Sequence, residues 1–138
     1  LSKNKHLFRN INYVCADIKS IELKDISSKS SVALLLSNSL IHHITNIDDF
    51  FECICNFSTK ETINFHKDLI RPKDEKTALK LKEKCSEIYN ETLTNDYYAS
   101  LKAAYRKDEI INFISERMLY SLDVIEDDDK YLILYGRV

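Results

Sequence analysis

The sequence has 138 residues, of which 44% are hydrophobic and 30% are charged, and its formal net charge is −2. These values fit one globular domain and argue against a nucleic-acid partner, because phosphate binding selects dense basic patches. The longest uninterrupted apolar stretch, residues 32–36, is far shorter than the roughly 20 residues that cross a bilayer, so no membrane partner is expected. Four cysteines without disulfide or zinc spacing predict a reduced, cytoplasmic protein.

Three apolar runs, each ending in polar residues, dominate the first half of the chain. They read NINYVCADI at residues 10–18, SVALLLSNSLIHHI at residues 31–44 and ETINFHKDLIRP at residues 61–72. Each run is short, rich in Val, Ile and Leu, and separated from the next by a segment of mixed polarity, which is typical of strands in a buried parallel sheet. We therefore predict three strands, at residues 13–16, 32–36 and 62–65.

The second half predicts helices followed by a hairpin. Its apolar periodicity, with that of the segment after the second strand, predicts helices at residues 48–57, 73–92, 95–106 and 107–118, the last capped by Asp108. Two strand patterns, SLDVIE and KYLILYGRV, flank the acidic residues 126–129 and predict an antiparallel hairpin. This order predicts an α/β sheet that ends in the hairpin, and it weakens the alternative of an all-helical interaction protein.

Glycine is unusually rare. The chain has one glycine, Gly136, and one proline, Pro72, whereas an average chain of this length has about ten glycines. No glycine-rich phosphate-binding loop, whether of the dinucleotide type or the P-loop type, fits within these residues.

Candidate site residues follow the strand patterns, because parallel sheets bind ligands at the carboxyl ends of their strands. The polar side chains at those ends are Asp17, Asn38, Ser39, His42, His43, Asp68 and Arg71. Each also has a structural interpretation, since such residues cap helices, form turns or pack in loops, and Asp68 could pair with Arg71. Adjacent histidines point in different directions, so no metal site is expected.

Four segments in this order resemble the second half of the class I S-adenosylmethionine-dependent methyltransferases. They are VCADI at residues 14–18, VALLLSNSLIHHITNIDDF at residues 32–50, INFHKDLIRP at residues 63–72 and YYASLKAAYRKDEIINFI at residues 97–114. The third contains the D-L-x-R-P pattern of one subgroup. The resemblance covers nearly the whole chain and implies a Rossmann-like methyltransferase sheet, with the terminal hairpin as its last two strands.

The resemblance also implies roles for individual residues. Asp17 would bond the adenine amino group of S-adenosylmethionine, with Ile18 beside the ring, and Asn38 and Ser39 would line the reactive end of the cofactor. The residues implied for the acceptor are Asp68, Arg71, Tyr98 and Tyr105. His42 or His43 is a candidate general base, because imidazole titrates near neutrality. Methyl transfer needs alignment rather than a catalytic triad, since the methyl group is already activated.

The sequence departs from the family at its N-terminal side. The family's first strand with its glycine loop, and the acid after its second strand, have no counterpart here. In the family those two strands lie between the third and the fourth, so their absence would leave unpaired edges in the centre of the sheet. Residues 1–138 are therefore expected to be the C-terminal portion of a single methyltransferase-like domain, incomplete at the N-terminal side.

Two functions follow from this interpretation. The first is methyl transfer to a small-molecule acceptor as part of a longer chain, with the fragment alone inactive. The second is a non-catalytic methyltransferase-like subunit that stabilises or regulates a partner protein. A homo-oligomer or a partner chain that completes the sheet is compatible with either function.

Overall fold

The structure, a computed structural model, describes residues 11–26 and 31–138. Within these ranges the centre is a four-stranded sheet. Its strands are β1 (Leu34–Asn38), β2 (Ile63–Leu69), β3 (Leu122–Asp127) and β4 (Tyr131–Gly136), in the spatial order β1-β2-β4-β3. β1 and β2 are parallel, whereas β4 is antiparallel to both β2 and β3. The predicted α/β sheet with a terminal antiparallel hairpin is therefore confirmed.

Five helices and one 3-10 turn accompany the sheet in the described ranges. The described helices are α1 (Leu23–Ile26), α2 (Ile47–Phe57), α3 (Glu75–Ser86), α4 (Glu91–Ala103) and α5 (Lys107–Glu116). A 3-10 turn, Ile41–His43, follows β1. Among the residues that the structure describes, no helix combines the length and the apolar character needed to cross a membrane.

The main core lies between one face of the sheet and helices α2 and α5. Phe50, Phe51 and Ile54 of α2 are buried, at the spacing of an inward-facing helical stripe. They pack with the buried residues Ile110, Ile114, Leu122, Val124, Leu132 and Leu134. A smaller cluster on the opposite side of the sheet joins α4 to the end of β2 and contains Leu69, Leu101 and Ala104. The two faces of the sheet are thus covered to different extents.

The strand predicted at residues 13–16 is wrong. This segment has no regular secondary structure, and the side chains of Ile11, Tyr13 and Val14 are between 41% and 47% exposed. A strand requires a neighbour that completes its hydrogen bonds, and none of the described strands pairs with this segment. The second and third predicted strands exist, but each extends further toward its carboxyl end than the pattern indicated.

The Lys/Glu-rich helix predicted for residues 73–92 is shorter than expected. It corresponds to α3, which ends at Ser86, and a separate helix begins at Glu91. The new helix starts there because the Asn90 side chain accepts a hydrogen bond from the backbone N–H of Leu93 at 3.0 Å.

The predicted cap of α5 is also corrected. Asp108 lies inside the first turn and its side chain is 75% exposed. The Glu109 carboxylate instead accepts a hydrogen bond from the backbone N–H of Arg106 at 2.8 Å. An acid at the third helical position caps the preceding N–H in this way, so the helix begins one residue before Asp108.

Substitution of Gly136 by alanine is expected to reduce the free energy of unfolding by roughly 1–3 kcal/mol, the cost of a strained backbone. Gly136 has φ +137°, and an added Cβ would lie 2.2 Å from the carbonyl oxygen of Ser121. Urea denaturation measures the change, with the exposed Asn112→Ala on α5 as control. Equal stability of the two variants would contradict this close approach.

Candidate functional site

The carboxyl ends of β1 and β2 lie at the same edge of the sheet, because the two strands are parallel. In the register, Asn38 at the end of β1 is opposite Lys67 of β2. The chain leaves β1 through Ser39, which has φ 53°, and its backbone N–H donates to the carbonyl of Lys67 at 2.9 Å. This turn leads into the 3-10 turn Ile41–His43, which lies against the end of β2. The edge therefore brings together the polar ends of the second and third apolar runs.

Asp68 and His42 form a buried pair at this edge. His42 Nδ1 is 2.5 Å from Asp68 Oδ1, and the two side chains are each 3% exposed. The carboxylate also accepts hydrogen bonds from the backbone N–H of Ile41 at 2.5 Å and of Leu69 at 2.7 Å. Asp68 thus fixes the 3-10 turn to the end of β2 and orients the His42 ring.

This orientation has a chemical consequence for His42. When Nδ1 carries the proton and donates it to Asp68, Nε2 of a neutral imidazole is left as a proton acceptor. His43 is exposed, and its ring centroid lies 4.0 Å from that of His42. Of the two histidines, only His42 has a carboxylate among its hydrogen-bond partners in the described chain.

The prediction that Asp68 could pair with Arg71 is wrong, because each of these side chains has another partner. Arg71 Nη1 donates to Glu109 Oε1 at 3.0 Å, and Arg71 Nε donates to the carbonyl of Ala104 at 2.8 Å. Residues three apart along an extended chain point to opposite faces, so the two side chains diverge. Arg71 instead attaches the junction between α4 and α5 to the end of β2.

Tyr105 lies in that junction and is half-buried. Its carbonyl accepts a hydrogen bond from the Arg71 backbone N–H at 3.1 Å, and its ring meets the Phe113 ring edge-on. Burial, with a smaller contribution from the Glu109 carboxylate, raises the pKa of the Tyr105 hydroxyl. The phenol therefore stays protonated at neutral pH and can donate a hydrogen bond.

An open groove of about 660 Å³ begins beside Arg71. It runs between α3, the start of α5 and the turn that joins β3 to β4. Basic side chains line it from the end of β2, α3 and α5, and acidic side chains line it from the hairpin turn. The charged residues are Arg71, Lys73, Lys80, Arg106, Lys107, Asp108, Glu126, Asp128 and Asp129. The groove is thus suited to a polar ligand that carries both signs of charge.

Tyr98 does not line this groove. Its hydroxyl donates a hydrogen bond to the Glu75 carboxylate, and this interaction raises the pKa of the phenol. The ring lies 5.0 Å from Lys82 Nζ and 5.5 Å from Lys102 Nζ. Tyr98 therefore links α3 and α4 on the outer side of the helices.

The four residues proposed from the sequence to hold a cofactor lie at or near the surface. Asp17 is exposed, and its Oδ1 accepts the backbone N–H of Lys19 at 3.0 Å, as in a turn cap. Ile18 is half-buried and packs against the main core. The side chains of Asn38 and Ser39 are exposed at the carboxyl end of β1. All four remain predictions as ligand contacts.

A second buried histidine, His66, was not predicted to matter in the core. It is 1% exposed, its Nδ1 lies 2.9 Å from Ser37 Oγ, and the Phe50 ring meets it edge-on at 5.0 Å. Burial lowers the pKa of His66 to about 4. The described residues contain no group of three His, Cys, Asp or Glu side chains arranged to hold a metal ion. The signal in the sequence was the alternation of polar and apolar residues along β2.

No known family pattern matches the chain, and no curated protein sequence is significantly similar to it. The fold, in contrast, is similar to that of solved structures of the plantazolicin methyltransferase BpumL. In complex with SAH and a triazolic desmethylPZN analog, BpumL matches 100% of this chain with 12% identity and a TM-score of 0.64. The complexes with a monoazolic and a pentazolic analog give TM-scores of 0.65 and 0.63 at 12% and 11% identity. The chain spans 65% of the BpumL chain in the triazolic complex, and it has a methyltransferase fold over that length.

Proposed function

We propose that this chain is part of an enzyme that transfers a methyl group from S-adenosylmethionine to a small-molecule acceptor. The observation that carries the proposal is the sheet order β1-β2-β4-β3 with an antiparallel β4, in a fold that matches BpumL along the whole chain. BpumL was crystallised with SAH, the product that S-adenosylmethionine leaves after methyl transfer. The polar side chains at the carboxyl edge of β1 and β2 support a site at the position where such sheets bind ligands.

The residues present fit one side of the cofactor. Asn38 and Ser39 offer exposed amide and hydroxyl groups at the end of β1, and Asp17 offers an exposed carboxylate. A carboxylate suits an amino group such as that of adenine, and Ile18 would contact the ring. The cofactor supplies an activated methyl group, so these residues have to bind, orient and exclude water. The described part of the chain contains no glycine loop for the methionine end.

His42 is the proposed general base. Its Nε2 would accept a proton from an acceptor hydroxyl or amine as that group is methylated, while Asp68 holds the ring in place. Since both Asp68 oxygens already accept hydrogen bonds, we assign Asp68 to positioning rather than to direct acceptor contact. Arg71 and Tyr105 would border the acceptor where it enters the mixed-charge groove, and Tyr98 would stabilise the helices beside it.

Asp17→Ala is expected to weaken SAH binding by about 1–3 kcal/mol, the usual cost of losing a hydrogen bond that the bound ligand would bury. Calorimetric titration of SAH into the protein as its gene encodes it measures this change. The matched control is Asp96→Ala, which removes an exposed carboxylate on α4. Affinity that is unchanged in Asp17→Ala and in Asn38→Ala would count against the cofactor site.

A second candidate function is that of a non-catalytic methyltransferase-like subunit. The observation that favours it is the outer side of β1 and β2, where the neighbouring apolar residues Leu36 and Phe65 are 63% and 43% exposed, as suits a protein partner. The two functions differ in their cofactor requirement. A stable complex with a partner and no affinity for SAH would favour the subunit over the enzyme.

A further inference from the structure

A second cavity, of about 480 Å³, lies between α3, α4 and the start of β4. It shares no lining residue with the mixed-charge groove beside Arg71. Its volume falls within the range of roughly 300–1,000 Å³ that is typical of small-molecule sites. We call it the tyrosine pocket, because Tyr89, Tyr97 and Tyr131 line it.

The floor of the tyrosine pocket belongs to the smaller core cluster. The half-buried side chains of Leu81, Tyr97 and Tyr131 pack against that cluster, which joins α4 to the end of β2. Tyr131 is fixed by its pairing with Leu69 of β2, and Lys67 Nζ lies 4.5 Å from the centroid of its ring. The floor is therefore formed before a ligand arrives, which reduces the entropy lost on binding.

The rim of the tyrosine pocket is apolar and exposed. Ile88 is 75%, Tyr89 54% and Leu93 51% exposed, and all three lie in or beside the connection between α3 and α4. The backbone holds this connection at both ends. The N–H groups of Ile88 and Tyr89 donate to the carbonyl of Cys85 at 3.1 and 3.0 Å, and Asn90 caps α4. Exposed apolar side chains that are fixed around a cavity in this way are placed to cover a ligand.

Two lysines make the tyrosine pocket positively charged. Lys84 of α3 and Lys130, directly before β4, line it, and none of its described lining residues is acidic. Both lysines are exposed, and neither forms an ion pair within the described chain. The acidic side chains of Glu87 and Asp129 line an adjacent depression instead. The charge of the pocket therefore favours an anionic ligand.

Tyr97 adds a hydrogen-bond donor to the pocket. Burial, with smaller contributions from Tyr131 and Cys85, raises the pKa of the Tyr97 hydroxyl. The phenol therefore stays protonated at neutral pH, and its O–H can donate to an anionic oxygen. The pocket thus combines an aromatic floor, an apolar rim, two cations and a neutral donor.

We propose that the tyrosine pocket binds a small molecule in which an aromatic ring carries a carboxylate. The ring packs against the rings of Tyr97 and Tyr131, and the carboxylate pairs with Lys84 and Lys130. The two lysines repel a ligand with a sulfonium or ammonium group, which separates this site from the proposed cofactor site. A membrane surface fits less well, because it would contact the rim and leave the floor empty. The proposal does not rest on the methyl-transfer function.

Calorimetric titration of 2-naphthoate into the protein as its gene encodes it tests this proposal. 2-Naphthoate should occupy one site per chain, whereas 2-naphthalenemethanol, which has the same ring and no charge, should bind about fivefold more weakly or less. The double variant Lys84→Gln with Lys130→Gln should weaken 2-naphthoate binding by about the same factor. The matched control, Lys60→Gln with Lys76→Gln, removes the same charge at exposed positions outside the pocket and should bind as wild type. Absence of binding, equal loss in the two double variants or displacement of 2-naphthoate by SAH would overturn the proposal.

Alkylation of cysteine by iodoacetamide locates the bound ligand. Cys85 lines the tyrosine pocket, whereas Cys15 is exposed outside it. 2-Naphthoate at about ten times its dissociation constant should slow the alkylation of Cys85 about tenfold and leave that of Cys15 unchanged. Peptide mass spectrometry measures both rates. No slowing at Cys85, equal slowing at Cys15, or binding to phosphatidylserine vesicles without binding of free 2-naphthoate would contradict the proposal. Neither experiment depends on methyl transfer.

Discussion

Asp68→Ala is expected to lower the free energy of unfolding by about 3–5 kcal/mol, the usual cost of removing one partner of a buried pair. The carboxylate accepts the backbone N–H groups of Ile41 and Leu69 and contacts His42 Nδ1. Alanine would leave these three groups without a partner in a region where water cannot replace it. Urea denaturation followed by circular dichroism measures the loss.

Two further variants distinguish the loss of the hydrogen bonds to Asp68 from the loss of a negative charge alone. Asp96→Ala removes an exposed carboxylate on α4 and should change stability by less than about 0.5 kcal/mol. Asp68→Asn keeps the shape of the side chain but turns one acceptor into a donor, so its cost should be intermediate. If Asp68→Ala is no less stable than Asp96→Ala, the network does not hold the 3-10 turn to β2.

The pair of His42 and Asp68 also allows a test of the methyl-transfer proposal that does not depend on protein stability. If His42 is the general base, His42→Gln should reduce the rate of methyl transfer. SAH affinity should be retained, because His42 is not proposed to contact the cofactor. A variant that keeps the wild-type rate of methyl transfer would leave the pair with a purely structural role.

The sheet could be predicted because its signals are local. The Val, Ile and Leu runs identify β1 and β2, and the acidic turn between two alternating patterns identifies the β3–β4 hairpin. The position of Asn38 and Asp68 at the same edge of the sheet follows from the parallel direction of β1 and β2. Resemblance to a family then identified the hairpin as the last two strands of the sheet, which composition alone does not show.

The missing strand and the wrong ion pair share one physical cause, since each concerned a partner distant in sequence. Residues 13–16 have a strand composition, but a strand forms only where a neighbour completes its ladder. Asp68 has His42, 26 residues away, as its partner rather than Arg71. The burial of polar rather than apolar residues along β2 has the same cause. Helix α2 packs on the side of His66, and this packing decides which face of the strand is buried regardless of hydropathy.

His66 is expected to make the protein lose about 3 kcal/mol of stability as the pH falls from about 6.5 to about 4. Burial lowers the pKa of His66 to about 4, from 6.5 in the unfolded chain. In this window the unfolded state binds a proton that the folded state does not, so acidification favours unfolding by about 1.4 kcal/mol per pH unit. Above this window the imidazole is neutral in both states and contributes no slope.

His66→Gln isolates this effect, because glutamine does not titrate and can still hydrogen-bond Ser37 Oγ. The free energy of unfolding, measured by urea at several pH values from 7.5 to about 4.5, should fall less steeply for the variant than for the wild type. His43→Gln, which removes an exposed imidazole, is the matched control variant. Parallel curves for wild type and His66→Gln would mean that the core around Phe50 admits the charged ring. In that case α2 would have to move away from β2, since the described structure places the Phe50 ring against His66.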